Sequence, residues 1–356
     1  LNVHCEMPLL NHQYLFKMIQ WMQSPKNASR WDNKACPLLQ VLSSAVTSAE
    51  NAGRLIRRTR GQDMDILEKG YRDLQTKADR FSEISIVSSL RKKFETNLKI
   101  IAEEGLTVDS DVPASFIESG VCNDFTVWID PLDGTYEFAH GLLSHATIMI
   151  GISLSAKPVA GVIHQPFVSD VDTLDDVGRT VWAVKSVDRI FGDIQVKPPP
   201  NDKRIVVTTR SHGNPNLENI LEILQPTEVI RVGGAGHKVL MLIEGEAHAY
   251  VFPGSGTKKW DTCAAECILS AAGGRMTDLC GNEIDYSNDV NVNNLQGILA
   301  TAPTVDHENY GKHRYYCIFG IINVSVAVCV ILMKQRIDVH FQFVVRWNWT
   351  FTTGII

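Results

Sequence analysis

The stretch VWIDPLDGT, from Val127 to Thr135, constrains this chain more than any other. Three strand-type apolar residues run into Asp130, a proline follows, and Asp133 comes three residues after Asp130, ahead of Gly-Thr. A strand that stops on an acid delivers the carboxylate to a sheet edge. The Pro131–Leu132 step then turns the chain so that Asp133 can face the same space. Two unpaired carboxylates there repel and one takes up a proton; a divalent cation removes the conflict, and hard Mg²⁺ prefers carboxylate oxygen. A helix opening at Gly134–Thr135 would add outward N–H groups as a neighbouring anion site. Taken alone, the segment reads equally as a turn capped by its own acids.

The surrounding pattern says what kind of sheet this is. Pro37 opens a run with Leu38, Leu39, Leu42, Ala45, Val46, Ala49 and Ile56 at helical spacing, and 77–94 repeats that period. Strands are expected at 98–102, 127–129, 146–154 and 158–166, the last two paired antiparallel across the short SAK turn, and again at 180–184, 204–209, 249–252 and 297–301. A Gly-rich turn leads into a helix over 232–245, and another helix spans 260–272. This order predicts an α+β or layered α/β domain, a sandwich of helix and sheet layers, over a parallel barrel.

Composition narrows the partners. A net charge of −6 gives no global basic field, so nucleic acid is not an expected partner and an anionic ligand must be held by local groups. Eight cysteines with no C-x-x-C pair favour reduced thiols and a cytoplasmic setting. Residues 1–35 lack periodicity and form an unassigned extension, and 36–303 carry the domain. Within the tail 304–356, Tyr315–Met333 is an uncharged segment of marginal transmembrane length. Its β-branched richness, Asn323 and Ser325 count against a span, so a membrane anchor is the minor alternative to a buried tail. No protein partner is evident.

Two more acidic segments decide the chemistry. KIIAEEGL carries Glu103 and Glu104, and KKWDTCAAE opens a helix with Asp261. With these the chain resembles the lithium-sensitive, magnesium-dependent, inositol monophosphatase-like phosphatase superfamily, whose signatures have the forms D-P-[LI]-D-G-[ST] and W-D-x-[AC]. DLQTKADR (73–80), AGVIHQP (160–166), TTRSH (208–212), RVGGAG (231–236), IEGEAHAYVF (243–252) and KKWDTCA (258–264) are similar, in order, to its 3′(2′),5′-bisphosphate nucleotidase branch. The resemblance covers about residues 37–302.

That resemblance implies the inositol monophosphatase-like sandwich and two to three Mg²⁺ ions. It makes Glu103, Asp130, Asp133, Asp261 and the Leu132 carbonyl the metal ligands, and Asp79 with Thr135 the pair that orients and deprotonates a water. Gly134, Thr209, His212, Gly234 and Lys238 match positions that hold the substrate. The implied reaction removes the 3′-phosphate of 3′-phosphoadenosine 5′-phosphate, or of its sulfated form, to give AMP. The alternatives are an inositol phosphate or polyphosphate phosphatase, and a catalytically inactive nucleotide-binding relative. Four departures stand out: Ala102 where the family has Gly, His237 for Asn, Ala265 for Pro, and a shorter stretch between Glu104 and Val127 (loop 105–126). Ala102 is acceptable only where φ is not positive.

Overall fold

The computed structural model describes residues 37–60, 64–70, 73–94, 98–106, 125–168, 178–210 and 215–311. His212, the amino-terminal extension and the apolar segment 315–333 lie outside the described residues. The first half runs α1 (Pro37–Thr59), β1 (Leu67–Gly70), β2 (Asp73–Gln75), α2 (Lys77–Phe94), β3 (Lys99–Ala102), β4 (Phe125–Asp133) and α3 (Thr135–Ala139). It continues with β5 (Thr147–Leu154), β6 (Lys157–Gln165), β7 (Arg179–Val184) and β8 (Arg189–Gly192). The second half is β9 (Ile205–Thr209), α4 (Pro215–Leu224), β10 (Glu228–Val232), α5 (Ala235–Ile243), β11 (Ala249–Phe252), α6 (Lys259–Ala271), β12 (Arg275–Thr277), β13 (Ile298–Thr301) and α7 (Glu308–Gly311).

These make the expected layered sandwich. One sheet has the order β3-β4-β5-β6-β7-β8 and the other β10-β9-β11-β13-β12. The period-2 alternation of strands sends neighbouring side chains to opposite faces, and here both faces are buried. Val127, Ile129, Ile148, Ile150, Ile152 and Val162 join the core under α1 and α2. Trp128, Met149 and Ile163, one residue out of phase, join the core shared with α5, α6 and the second sheet. This is why β4 and β5 read as unbroken apolar runs.

Close approach of α6 fixes the middle layer. Gly151 and Gly161 face each other across β5 and β6, and a Cβ would stand 2.6 Å from Cys263 at the first and 2.7 Å from the Ala264 carbonyl at the second. Only glycine lets the helix lie so near the sheet. Cys263 and Cys267 are free and buried. Among the described residues no helix is long and apolar enough to cross a membrane.

The described fold continues past residue 303. His307 shares hydrogen bonds with Thr277 Oγ1 (3.0 Å) and Thr301 Oγ1 (2.9 Å), and the buried Tyr310 ring lies under the Arg204 guanidinium, 4.3 Å from its centroid. The chain to Gly311 therefore packs against the second sheet.

Candidate active site

β4 ends in a bulge. Its register with β5 pairs Asp130 with Met149 and next pairs Asp133 with Thr147, so Pro131 and Leu132 together oppose Ile148. Proline has no N–H for the ladder, and a bulge there bends the strand and re-aims its side chains. The result is an open cleft of about 380 Å³ lined by Glu103, Asp130, Leu132, Asp133, Gly134, Thr135, Thr209, Gly234, Lys238 and Asp261. All the expected site residues that are described border it except Asp79, which sits behind Thr135.

Each acid has a different anchor. Asp79, buried on the first turn of α2, accepts from the Thr76 N–H (2.7 Å) and from the Thr135 hydroxyl (2.8 Å). The same Thr135 oxygen lies 2.7 Å from the Leu132 carbonyl. A hydroxyl has one proton, so Thr135 donates to one of these at a time. Asp130 accepts from the Leu132 N–H (3.1 Å), and Asp261 from the Lys258 N–H (2.8 Å) at the start of α6. Glu103 and Glu104 follow β3 and face the Lys69 ammonium at 3.2 and 3.0 Å. Their turn is clamped by Glu83, whose carboxylate accepts from the N–H groups of Glu104 (2.8 Å) and Leu106 (2.7 Å).

Asp133 has the fullest set of partners. It accepts from the Ala235 N–H (2.9 Å) through Oδ1, and from the Gly236 N–H (2.8 Å) and the Thr147 hydroxyl (2.8 Å) through Oδ2. The first N–H groups of α5 are thus taken by a protein carboxylate. α3 opens where expected, at Thr135 after Gly134, and spans five residues.

Burial and mutual repulsion hold the remaining acids protonated to unusually high pH. Burial lifts Glu103 to about 8, with Lys69 opposing and Asp261 and Glu104 adding to the rise. It lifts Asp261 to about 7 with help from Asp133, and Asp79 to about 6 against its Thr76 and Thr135 hydrogen bonds. Asp130 is raised well above the carboxylate range by burial, then by Glu103, Asp133 and Asp261. Burial alone would lower Lys69, but Glu103, Glu104 and Asp73 outweigh it and hold the ammonium above its ordinary value.

Such a donor set fits a hard divalent cation: it is all oxygen, it is buried, and its members destabilise one another until a positive charge joins them. As they stand, no three of these side chains among the described residues converge closely enough to grip an ion.

The substrate positions divide. Thr209 and Gly234 border the cleft, while Lys238 is buried, donates to the Gly234 carbonyl (2.7 Å) and stands 5.1 Å from the centroid of the Tyr250 ring. Its ammonium is held below the ordinary lysine value by burial, with Asp133, Glu137 and Asp261 opposing. Ala102 closes β3 without a positive φ, so the missing glycine is accommodated. His237 stacks on His145, with centroids 4.5 Å apart. Sequence reasoning missed Thr147 and Lys69, which touch the site acids Asp133 and Glu103, and Glu83, which clamps the backbone just after Glu103; only register and turn geometry reveal them.

A layered sandwich with acids gathered at a bulged strand end defines a class. The chain belongs to the inositol monophosphatase family, whose model matches residues 38–314, and that family is magnesium-dependent. Among curated proteins it is 43% identical over 290 residues to human 3′(2′),5′-bisphosphate nucleotidase 1, covering 76% of this chain and 93% of the relative. Among solved structures it is similar to the extragenic suppressor protein suhB of Bartonella henselae, with TM-score 0.59 and 23% identity over 78% of this chain and 98% of that one. The Thermotoga maritima IMPase gives TM-score 0.59 and 21% identity over 79% and 99%.

Proposed function

We infer that this chain is a magnesium-dependent phosphatase that removes the 3′-phosphate of 3′-phosphoadenosine 5′-phosphate, leaving AMP. The observation that carries the reading is the Thr135 hydroxyl held 2.8 Å from Asp79 at the edge of the acid cleft. The likeness to bisphosphate nucleotidases supports the choice of substrate.

Glu103, Asp130, Asp133, Asp261 and the Leu132 carbonyl would hold two to three ions. Magnesium, when bound, neutralises phosphoryl charge and acidifies the attacking water. Thr135 orients that water, accepts its proton, and passes its own hydroxyl proton to Asp79. A carboxylate with a pKa of about 6 is largely ionised at neutral pH and is matched to that task. Thr209, Gly134, Gly234, Lys238 and His212 would border the nucleotide, with Lys238 acting from behind the turn through the Gly234 carbonyl.

The test is phosphate release from 3′-phosphoadenosine 5′-phosphate and from inositol 1-phosphate, with and without Mg²⁺, by the full chain and by Thr135→Val. We expect metal-dependent release that favours the nucleotide and falls by about 10²–10⁴-fold in the variant. Faster turnover of inositol 1-phosphate would move the substrate to the inositol phosphates, and equal rates in Thr135→Val would overturn the proton relay.

A further inference from the structure

The hydrogen bonds to Asp133 decide more than its position. An ionised carboxylate has two oxygens with about four acceptor sites in all. On Asp133, Oδ2 receives both the Gly236 N–H and the Thr147 hydroxyl, each at 2.8 Å, and is full. Oδ1 receives only the Ala235 N–H at 2.9 Å and keeps one site. The third donor comes from β5, directly across the β4 bulge. Thr147 is fully buried, and its hydroxyl lies 2.4 Å from where a Cβ on Gly236 would stand, so it is packed between the bulge and the start of α5.

We propose that Thr147 is a positioning residue that sets the cation selectivity of the cleft, by filling Oδ2 so that Asp133 can offer an ion one oxygen and not two. This rests on reading Asp133 as a metal ligand. Mg²⁺ demands near-octahedral geometry from single oxygens, whereas the larger Ca²⁺ accepts six to eight ligands and readily takes both oxygens of one carboxylate. Removing the hydroxyl deletes one of the three bonds that fix the carboxylate, which is then held by the two α5 N–H groups alone and is freer to turn. The carboxylate can then grip with both oxygens, which favours calcium.

The test needs no turnover. The full chain and its Thr147→Val and Thr147→Ser variants are titrated with Mg²⁺ and, separately, Ca²⁺ without substrate, and the half-saturating concentrations are read from thermal stabilisation. In Thr147→Val the ratio of the calcium to the magnesium half-point should fall by about tenfold, in line with the effect of other groups that orient metal ligands. Thr147→Ser, which keeps the hydroxyl, should retain the wild-type ratio. A threonine that merely packs the core would lower the melting temperature in EDTA and leave the ratio alone, and that result overturns the proposal. So does a serine variant that behaves like valine. If Thr147→Val does not fold, Thr147→Ala against Thr147→Ser reads the same difference. A wild-type chain stabilised by neither ion would instead sink the metal reading itself, and this inference with it.

Discussion

Replacing Asp133 by asparagine separates two views of that residue. By charge counting alone, deleting one of several crowded carboxylates relieves repulsion, and the metal-free protein should be as stable or more so. The observed hydrogen bonds reverse the sign. Asparagine offers one carbonyl oxygen and one NH₂. Its better orientation keeps the Gly236 and Thr147 bonds and turns the NH₂ toward the Ala235 N–H. Loss of one bond to a charged group costs about 1.5–3 kcal/mol. Removing the negative charge at the start of α5 costs roughly a further 0.3–1 kcal/mol. Relief of repulsion offsets about 1–2 kcal/mol per neighbouring charge at an effective dielectric near 20. Asp261, lifted to about 7, is partly protonated near neutrality, so the relief is smaller than that. The net loss is about 1–2 kcal/mol, or roughly 2–4 °C in a domain of this size. Thermal unfolding in EDTA at pH 7 measures it. A melting temperature equal to or above wild type would show that repulsion, and not capping of α5, dominates at Asp133.

Two other outcomes follow from the same forces. Asp79 (about 6), Asp261 (about 7) and Glu103 (about 8) all titrate above their unfolded values, so the folded chain binds the extra protons and its stability falls as pH rises through that range. His307, depressed to about 4 mainly by burial, works the other way: its contribution is full above pH 6.5 and lost toward pH 4. The clean window is therefore pH 6.5–8, where melting temperature in EDTA should drop and saturating Mg²⁺ should flatten the drop; a rise with pH in EDTA would refute the assignment. Separately, Gly53→Ala should cost about 1–3 kcal/mol in urea unfolding, through overpacking. Its Cβ would lie 2.1 Å from His164 Nε2, so the usual helix gain of about 0.5–1 kcal/mol over glycine should not appear.

What the sequence reveals here depends on whether a residue acts through its own pattern or through a partner. Pro37 and the 77–94 periodicity mark α1 and α2 because those helices bury one face against a sheet, and β4, β5 and β6 stand out as apolar because both faces are covered. β1 and β10 are mostly exposed, so LEKG and EVIRV carry no alternation to read. In and behind the cleft, Asp79, Glu103, Asp130, Asp133 and Asp261 are visible as motif acids. Their restraints are not: Thr147 reaches Asp133 through strand register, and the Ala235 and Gly236 N–H groups arrive from about a hundred residues away. A Gly-rich turn before a helix looks the same in sequence whether its N–H groups await a phosphate or already hold an aspartate.

That ambiguity has a structural consequence for how the cleft works. Gly134, after the acid strand, and Gly234, before α5, both have left-handed backbones with φ of +79° and +74°. A Cβ on either would meet the His145 carbonyl, at 2.9 and 2.4 Å, and one on Gly134 would also stand 3.6 Å from the Gly234 Cα. The turn that carries Thr135 and the turn proposed to border the nucleotide are therefore packed on a common point, and Asp133 bonds one to the other. Neither can shift to suit a ligand without moving the other. A nucleotide seated against residues 233–236 would thus press on the same backbone that aims Thr135 and Asp133, so binding contacts far from the cleaved phosphate would register in the placement of the acids.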